Sequence, residues 1–173
     1  MKIGFLGGSF NPPHFGHIEL ATLAKRHLNL DLIIFLITPC NPFKSKIGLP
    51  SVGERKKMLE KIVKNRYFKM SSIETKFKVA QSFKTVRLVK NLYKNHELFF
   101  IFGSDNLLHF HKWQNHQEIL QSVNVVFVNR GGFNHYKTLT QSHISKHSFQ
   151  FIHTKTQEIS SSAIRNNLNK THD

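Results

Sequence analysis

Short apolar runs that alternate with helical patterns predict an α/β fold, a doubly wound, mostly parallel sheet with helices on both faces. The apolar runs are continuous rather than alternating, which means burial on both faces, as in a parallel sheet covered by crossover helices. The segments between them carry helical apolar faces, and right-handed crossovers place these on the two sides of the sheet.

Residues 3–6 are a short apolar run stopped by Gly7 and Gly8, which predicts a buried strand. Ile18, Leu20, Ala21, Leu23 and Ala24 make one apolar face of a helix over residues 17–27. Residues 32–37 are continuously apolar and rich in β-branched side chains, a second strand. Ser51, with Glu54 three residues later, is a capping box that opens a helix carrying Met58, Leu59, Ile62 and Val63. A short strand is predicted over residues 67–70. Gln81 or Ser82 opens the next helix, which carries Val86, Leu88, Val89, Leu92 and Tyr93. Residues 98–102 are a buried strand ending at Gly103, and residues 123–128 (with Asn124 inside) and 149–152 are the last two strands. Ser160 caps a final helix through Arg165 to Leu168. Residues 131–148 are polar, rich in histidine and turn-like, and read as a mobile surface loop. With no internal repeat and no linker-like stretch, the 173 residues are expected to form one domain, 1–173.

A domain of this size buries roughly 70% of the surface its unfolded chain exposes, so it needs neither disulfides nor a structural metal. Cys40 is the single cysteine; no intramolecular disulfide can form, which fits a reducing cytoplasm. The first apolar run is too short for a secretory signal, and none approaches the ~20 residues of a membrane span. A soluble cytoplasmic protein with no membrane partner is expected. The net charge of +15 attracts polyanions, either nucleic acid or a small phosphorylated substrate. Because the basic residues are scattered, with no arginine-rich tail or basic block, nucleic acid is not expected as the partner. The oligomeric state is left open, a homo-oligomer included.

Two segments carry chemistry. The first runs from Gly7 and Gly8 through Ser9, Phe10, Asn11, Pro12 and Pro13 to His14, Phe15, Gly16 and His17. The glycines let the backbone turn and approach a ligand closely. His14 and His17 are three apart at a helix start, which brings both rings to the positive end of the helix, a setting suited to phosphate. A metal pair and two solvated surface histidines are the other readings. Two neutral nitrogens with no carboxylate or thiolate nearby make a poor zinc site, however. The second segment is Ile159, Ser160, Ser161, Ser162, Ala163, Ile164 and Arg165. Serines at a helix start supply hydroxyls and free backbone N–H groups, though on their own they are most often only a cap. Arg165, one turn on, can reach back with a forked donor set.

Together these segments resemble the signatures of a nucleotidyltransferase superfamily of Rossmann-like fold: a (His/Thr)-x-Gly-His motif and an Ile-Ser-Ser-Thr-x-x-Arg motif. Within it the chain is similar to the bacterial nicotinate-nucleotide adenylyltransferases. Residues 7–17 follow that family's Gly-Gly-Thr-Phe-Asp-Pro-Pro-His-x-Gly-His, and Asn41, Pro42, Phe43 and Lys44 match its basic loop after the second strand. Residues 51–59, with Arg55 and Met58, match the helix that follows. Residues 99–106 match a Gly-x-Asp segment, with Trp113 at the expected distance; residues 126–131 carry the expected Arg130, and residues 159–165 close the set. Ser9 stands for threonine, Asn11 for aspartate and Ser162 for threonine. Residues 82–87 read Ser-Phe-Lys-Thr-Val-Arg where the family has Ser-Tyr-Thr-x-Asp-Thr.

The resemblance implies adenylyl transfer from ATP to nicotinate mononucleotide, with release of pyrophosphate. It implies catalytic groups at His14, His17, Lys44 and Arg165. ATP and its phosphates would be held by Gly7, Gly8, Ser9, Phe10, Gly103, Ser104, Asp105, Ile159, Ser160, Ser161 and Ser162. The mononucleotide would be held by Ser82, Phe83, Trp113 and Arg130, with the tryptophan against the pyridine ring. Mg²⁺ would travel with ATP, and no dedicated protein site for it is expected.

Overall fold

The computed structural model describes residues 1–39, 49–129, 144–145 and 148–153. Cys40, Lys44, Arg130, most of residues 131–148, and the expected last helix with Ile159, Ser160, Ser161, Ser162 and Arg165 lie outside the described residues.

Apolar runs become adjacent parallel strands. Strand β1 (Lys2–Gly8) is central, β2 (Leu32–Ile37) and β3 (Phe68–Ser71) lie to one side of it, and β4 (Glu97–Gly103), β5 (Asn124–Val128) and β6 (Gln150–Ile152) to the other. The order is β3-β2-β1-β4-β5-β6 and every pair is parallel. The register sorts side chains by face. Leu6 pairs with Phe35 and Ile101, and Ile101 with Val126, all in one apolar cluster. Phe5 pairs with Ile34 and Phe100, and Phe100 with Val125, all in the other.

Each cluster is closed by helices. Helix α1 (Phe15–Leu28) covers the first face with Leu20, Ala21 and Ala24, and α2 (Val52–Ile62) adds Leu59. The two alanines are fully buried, so α1 lies close to the sheet. The second face is covered by α4 (Ser82–Leu92) through Phe83, Val86 and Val89, by α5 (Leu107–Phe110), and by α6 (His116–Ser122) through Ile119. Helices on both faces of a parallel sheet are the architecture expected.

Boundaries moved by a residue or two. The capping box formed as read: the Ser51 hydroxyl accepts from the Glu54 amide at 3.2 Å, and Glu54 accepts from the Ser51 amide at 2.8 Å. The Ser51 hydroxyl, which also donates to Oε2 of Glu54 at 2.7 Å, and the Ser51 amide hold the Glu54 carboxyl below its ordinary range. Helix α1 starts two residues earlier than expected, because His14 rather than a later residue is its N-cap. The fifth strand starts at Asn124, whose side chain donates to the Leu98 carbonyl at 3.2 Å. Helix α3 (Ile73–Lys76), a 3-10 turn (Ser104–Asn106), α5 and α6 were not foreseen; each is too short to show a period. The reading of residues 131–148 as surface loop is corrected at Ile144, which is buried in the second cluster.

Candidate active site

Strand order reverses between β1 and β4. In an open α/β sheet the crevice beyond the carboxyl ends of two such strands is the ligand site. Both ends here are glycine: β1 finishes at Gly7 and Gly8, β4 at Gly103. Their register, with Leu6 beside Ile101, carries Gly8 alongside Gly103.

The connection from β1 to α1 is tightly determined. Gly7 is exposed, and among the described residues no heavy atom comes within 4 Å of a β-carbon built on it. Phe10 has φ 47°, a left-handed conformation costly for a side chain of that size. What holds it there is burial: its ring packs edge-on against His17 at 4.9 Å and against Phe35 at 5.7 Å. The Asn11–Pro12 peptide that follows is cis.

The two histidines meet as their spacing requires. Their ring centroids are 3.8 Å apart, and the side chains are 5% and 8% exposed. The His14 amide donates to Nδ1 of His17 at 3.2 Å, while the His17 amide donates to the His14 carbonyl at 3.0 Å. An Nδ1 that accepts cannot carry the proton of a neutral ring, so that proton resides on Nε2. The first turn of α1 has no acidic residue, so its positive end is not offset from within. A donor at the tip of a helix beside a glycine turn is an arrangement that binds phosphate.

Across the crevice, Ser104 is fully buried and its hydroxyl donates to Oδ1 of Asn129 at 3.2 Å. The Asn129 amide lies 3.4 Å from Nδ1 of His153, so one polar chain crosses the carboxyl ends of β4, β5 and β6. Asp105 is exposed, and Asn106 donates to it at 3.3 Å and to the Gly103 carbonyl at 3.1 Å.

On the mononucleotide side Ser82, Phe83 and Trp113 are among the described residues, and Trp113 packs against the apolar cluster that holds Phe83. Ser82 is half-buried as the first residue of α4. Phe83 is buried in the second cluster, with the Arg87 guanidinium 5.3 Å above its ring. Trp113 is half-buried just past α5, against Phe102 at 5.4 Å and Phe110 at 5.1 Å. Residues not foreseen at the site are Asn129, His153 and Arg55. An arginine four residues before Leu59, on the apolar stripe of α2, was the signal available for the last.

The cytidylyltransferase-like family model matches residues 5–167. A probable nicotinate-nucleotide adenylyltransferase of Pelagibacter ubique is 40% identical over 169 residues, covering 95% of this chain and 92% of the relative. This chain belongs to the cytidylyltransferase-like family, among the nicotinate-nucleotide adenylyltransferases. An Agrobacterium fabrum member of that group is 31% identical over 185 residues, 96% of this chain and 99% of its own. The same fold appears in the Plasmodium falciparum nicotinic acid mononucleotide adenylyltransferase complexed with NaAD, at TM-score 0.77 and 22% identity, covering 95% of this chain and 82% of that one.

Proposed function

We infer that this chain transfers the adenylyl group of ATP to nicotinate mononucleotide, giving nicotinate adenine dinucleotide and pyrophosphate, a step of NAD biosynthesis. The observation that carries the reading is the close, tilted His14–His17 ring pair at the tip of α1, beside the exposed Gly7 near the end of β1. Family membership supplies the reaction class.

In this reading a phosphate oxygen of the mononucleotide attacks the α-phosphorus of ATP. The new P–O bond forms as the bond to the β-phosphate breaks, and pyrophosphate leaves with that bond's electrons. A phosphate monoester has its second pKa near 6, so the nucleophile is already largely ionised and needs no general base. Alignment and charge stabilisation are what the protein must supply. Nε2–H of His17, with His14 beside it, donates to the phosphate oxygens where charge accumulates. Gly7, Gly8, Ser9 and Phe10 offer backbone to the nucleotide, with Gly103, Ser104 and Asp105 facing them. Lys44, Ile159, Ser160, Ser161, Ser162 and Arg165 enter on their motifs alone, as do Ser82 and Arg130 on the mononucleotide side.

ATP enters as its Mg²⁺ complex, the ion held mainly by phosphate oxygens and water. Among the described residues no three His, Cys, Asp or Glu side chains come together. No described helix is long and apolar enough to cross a membrane. We assign the enzyme to the cytoplasm, in keeping with its single cysteine, with small nucleotides rather than nucleic acid as its anionic partners.

The test is incubation with ATP, Mg²⁺ and, in parallel, nicotinate mononucleotide, nicotinamide mononucleotide or phosphopantetheine, followed by product identification. Nicotinate adenine dinucleotide with equimolar pyrophosphate is expected to form fastest. Pyrophosphate release with another acceptor only, or none at all, overturns the assignment.

A further inference from the structure

Helix α2 buries an arginine. Arg55 is 1% exposed, on the stripe that also carries Leu59, and is among the largest fully buried side chains of the protein. A guanidinium in that position must satisfy its donors within the protein. It does so on main-chain carbonyls from three segments. Nε donates to Pro50 at 2.9 Å, Nη1 to Ser9 at 2.6 Å and to Thr38 at 2.8 Å, and Nη2 to Pro39 at 3.2 Å. Hydrogen bonds from a charged donor are about twice as strong as neutral ones, and the planar fork fixes their directions.

The segments joined are those that frame the crevice. Ser9 lies between the exposed end of β1 and the strained Phe10; Thr38 and Pro39 leave the end of β2 toward Lys44. The Thr38 amide also donates to the Gly8 carbonyl at 3.0 Å, so a second bond runs between the same two strand ends. We propose that Arg55 is a positioning residue for adenylyl transfer: its fork holds the Ser9 peptide and the Thr38–Pro39 segment at a fixed separation, so that the glycine turn meets the nucleotide already aligned. This rests on the reading given under Proposed function. Arg55 acts through the Ser9 peptide, and no contact between the guanidinium and the reacting atoms is invoked. The chemistry needs a fork and not merely a cation, because a lysine ammonium gathers its donors on one nitrogen and lacks the fork's fixed spread and directions.

The test compares R55K and R55Q with the wild type. Thermal unfolding is measured first, then kcat and KM for each substrate well below every melting midpoint. Amide exchange at Thr38 is followed in the absence of substrates. In R55K, kcat is expected to fall about 10-fold or more, as a small misalignment of reacting groups does. KM for nicotinate mononucleotide should stay near the wild-type value, and Thr38 exchange should accelerate. A lower melting midpoint with kcat retained overturns the proposal, because Arg55 would then serve stability alone. R55Q keeps a planar amide with two N–H donors and carries the same test if R55K fails to fold. Its kcat should fall likewise, and a retained kcat overturns the proposal. A wild type that makes no dinucleotide defeats the functional reading instead. The exchange data still judge the clamp in that case: unchanged Thr38 exchange in the variants overturns it.

Discussion

A β-carbon built on Gly8 falls 3.0 Å from Cζ of Phe10 and within 3.3 Å of two more atoms of the same ring. That ring cannot move aside freely, since His17 and Phe35 pack against it. The Gly8→Ala substitution is therefore expected to displace Phe10, and His17 with it, at a cost of about 1–3 kcal/mol, as overpacked sites show. Activity should fall together with the urea midpoint.

Gly7 is the opposite case: among the described residues no heavy atom stands within 4 Å of where its β-carbon would be. Gly7→Ala should leave the urea midpoint unchanged. If the nucleotide approaches β1 at this point, the methyl group keeps it away, and KM for ATP rises about tenfold, equivalent to ~1.4 kcal/mol. Wild-type ATP kinetics in this variant would remove Gly7 from the binding surface.

The bond from the His14 amide to Nδ1 of His17 separates two functions of one ring. His17→Ala should lose both, lowering turnover about 10²-fold, as loss of an oxyanion donor does. It should also cost about 0.5–2 kcal/mol as a lost helix-start acceptor. His17→Asn keeps an oxygen near the Nδ1 position but has nothing where Nε2–H was. It is expected to be more stable than the alanine variant, though below wild type because the ring packing on Phe10 is lost, with turnover as low as that of the alanine variant. Turnover recovered in His17→Asn would place the catalytic contribution elsewhere.

The sheet was legible because each strand is buried on both faces and so is written as an unbroken apolar run: residues 32–37 became β2 without a shift. The imidazole pair was legible for a local reason, since three-residue spacing at a helix start leaves the rings little choice. Arg55 and Asn129 were harder to find. The stripe of α2 marks Arg55 for burial, but the partners of both residues follow from which strand ends lie side by side, a long-range fact that no local window contains. Phe83 shows the converse limit: a motif match located the start of α4, but the direction of its ring follows from the apolar stripe it shares with Val86 and Val89.

Trp113 is the only tryptophan, so its fluorescence reports on one place. Its ring packs against Phe102 and Phe110 yet stays partly exposed among the described residues, which leaves an edge to meet a planar ring. Nicotinate mononucleotide should quench this fluorescence and ATP alone should not. Trp113→Ala should raise KM for the mononucleotide about tenfold or more, with KM for ATP unchanged, since base–aromatic stacking contributes about 1–3 kcal/mol. Quenching by ATP alone, or equal effects on both KM values, would contradict the assignment.

Glu74 is 6% exposed on α3, and the Thr85 hydroxyl donates to its Oε1 at 2.7 Å. Burial pushes the carboxyl up from its ordinary 4.5, and the hydroxyl only partly opposes the shift. The sign of the pH effect follows from proton linkage. Well below 4.5 the group is neutral in both folded and unfolded chains, and its contribution to stability is fully present. As pH rises, the unfolded chain ionises first, so stability is lost progressively until pH passes the raised folded value, and is level beyond it. Glu74→Gln accepts the same hydroxyl bond but does not titrate. Plotted against pH, the unfolding free energy of Glu74→Gln minus that of the wild type should climb upward from about the unfolded pKa and then flatten. A difference that stays constant with pH would mean that Glu74 ionises in the folded protein as easily as it does in water.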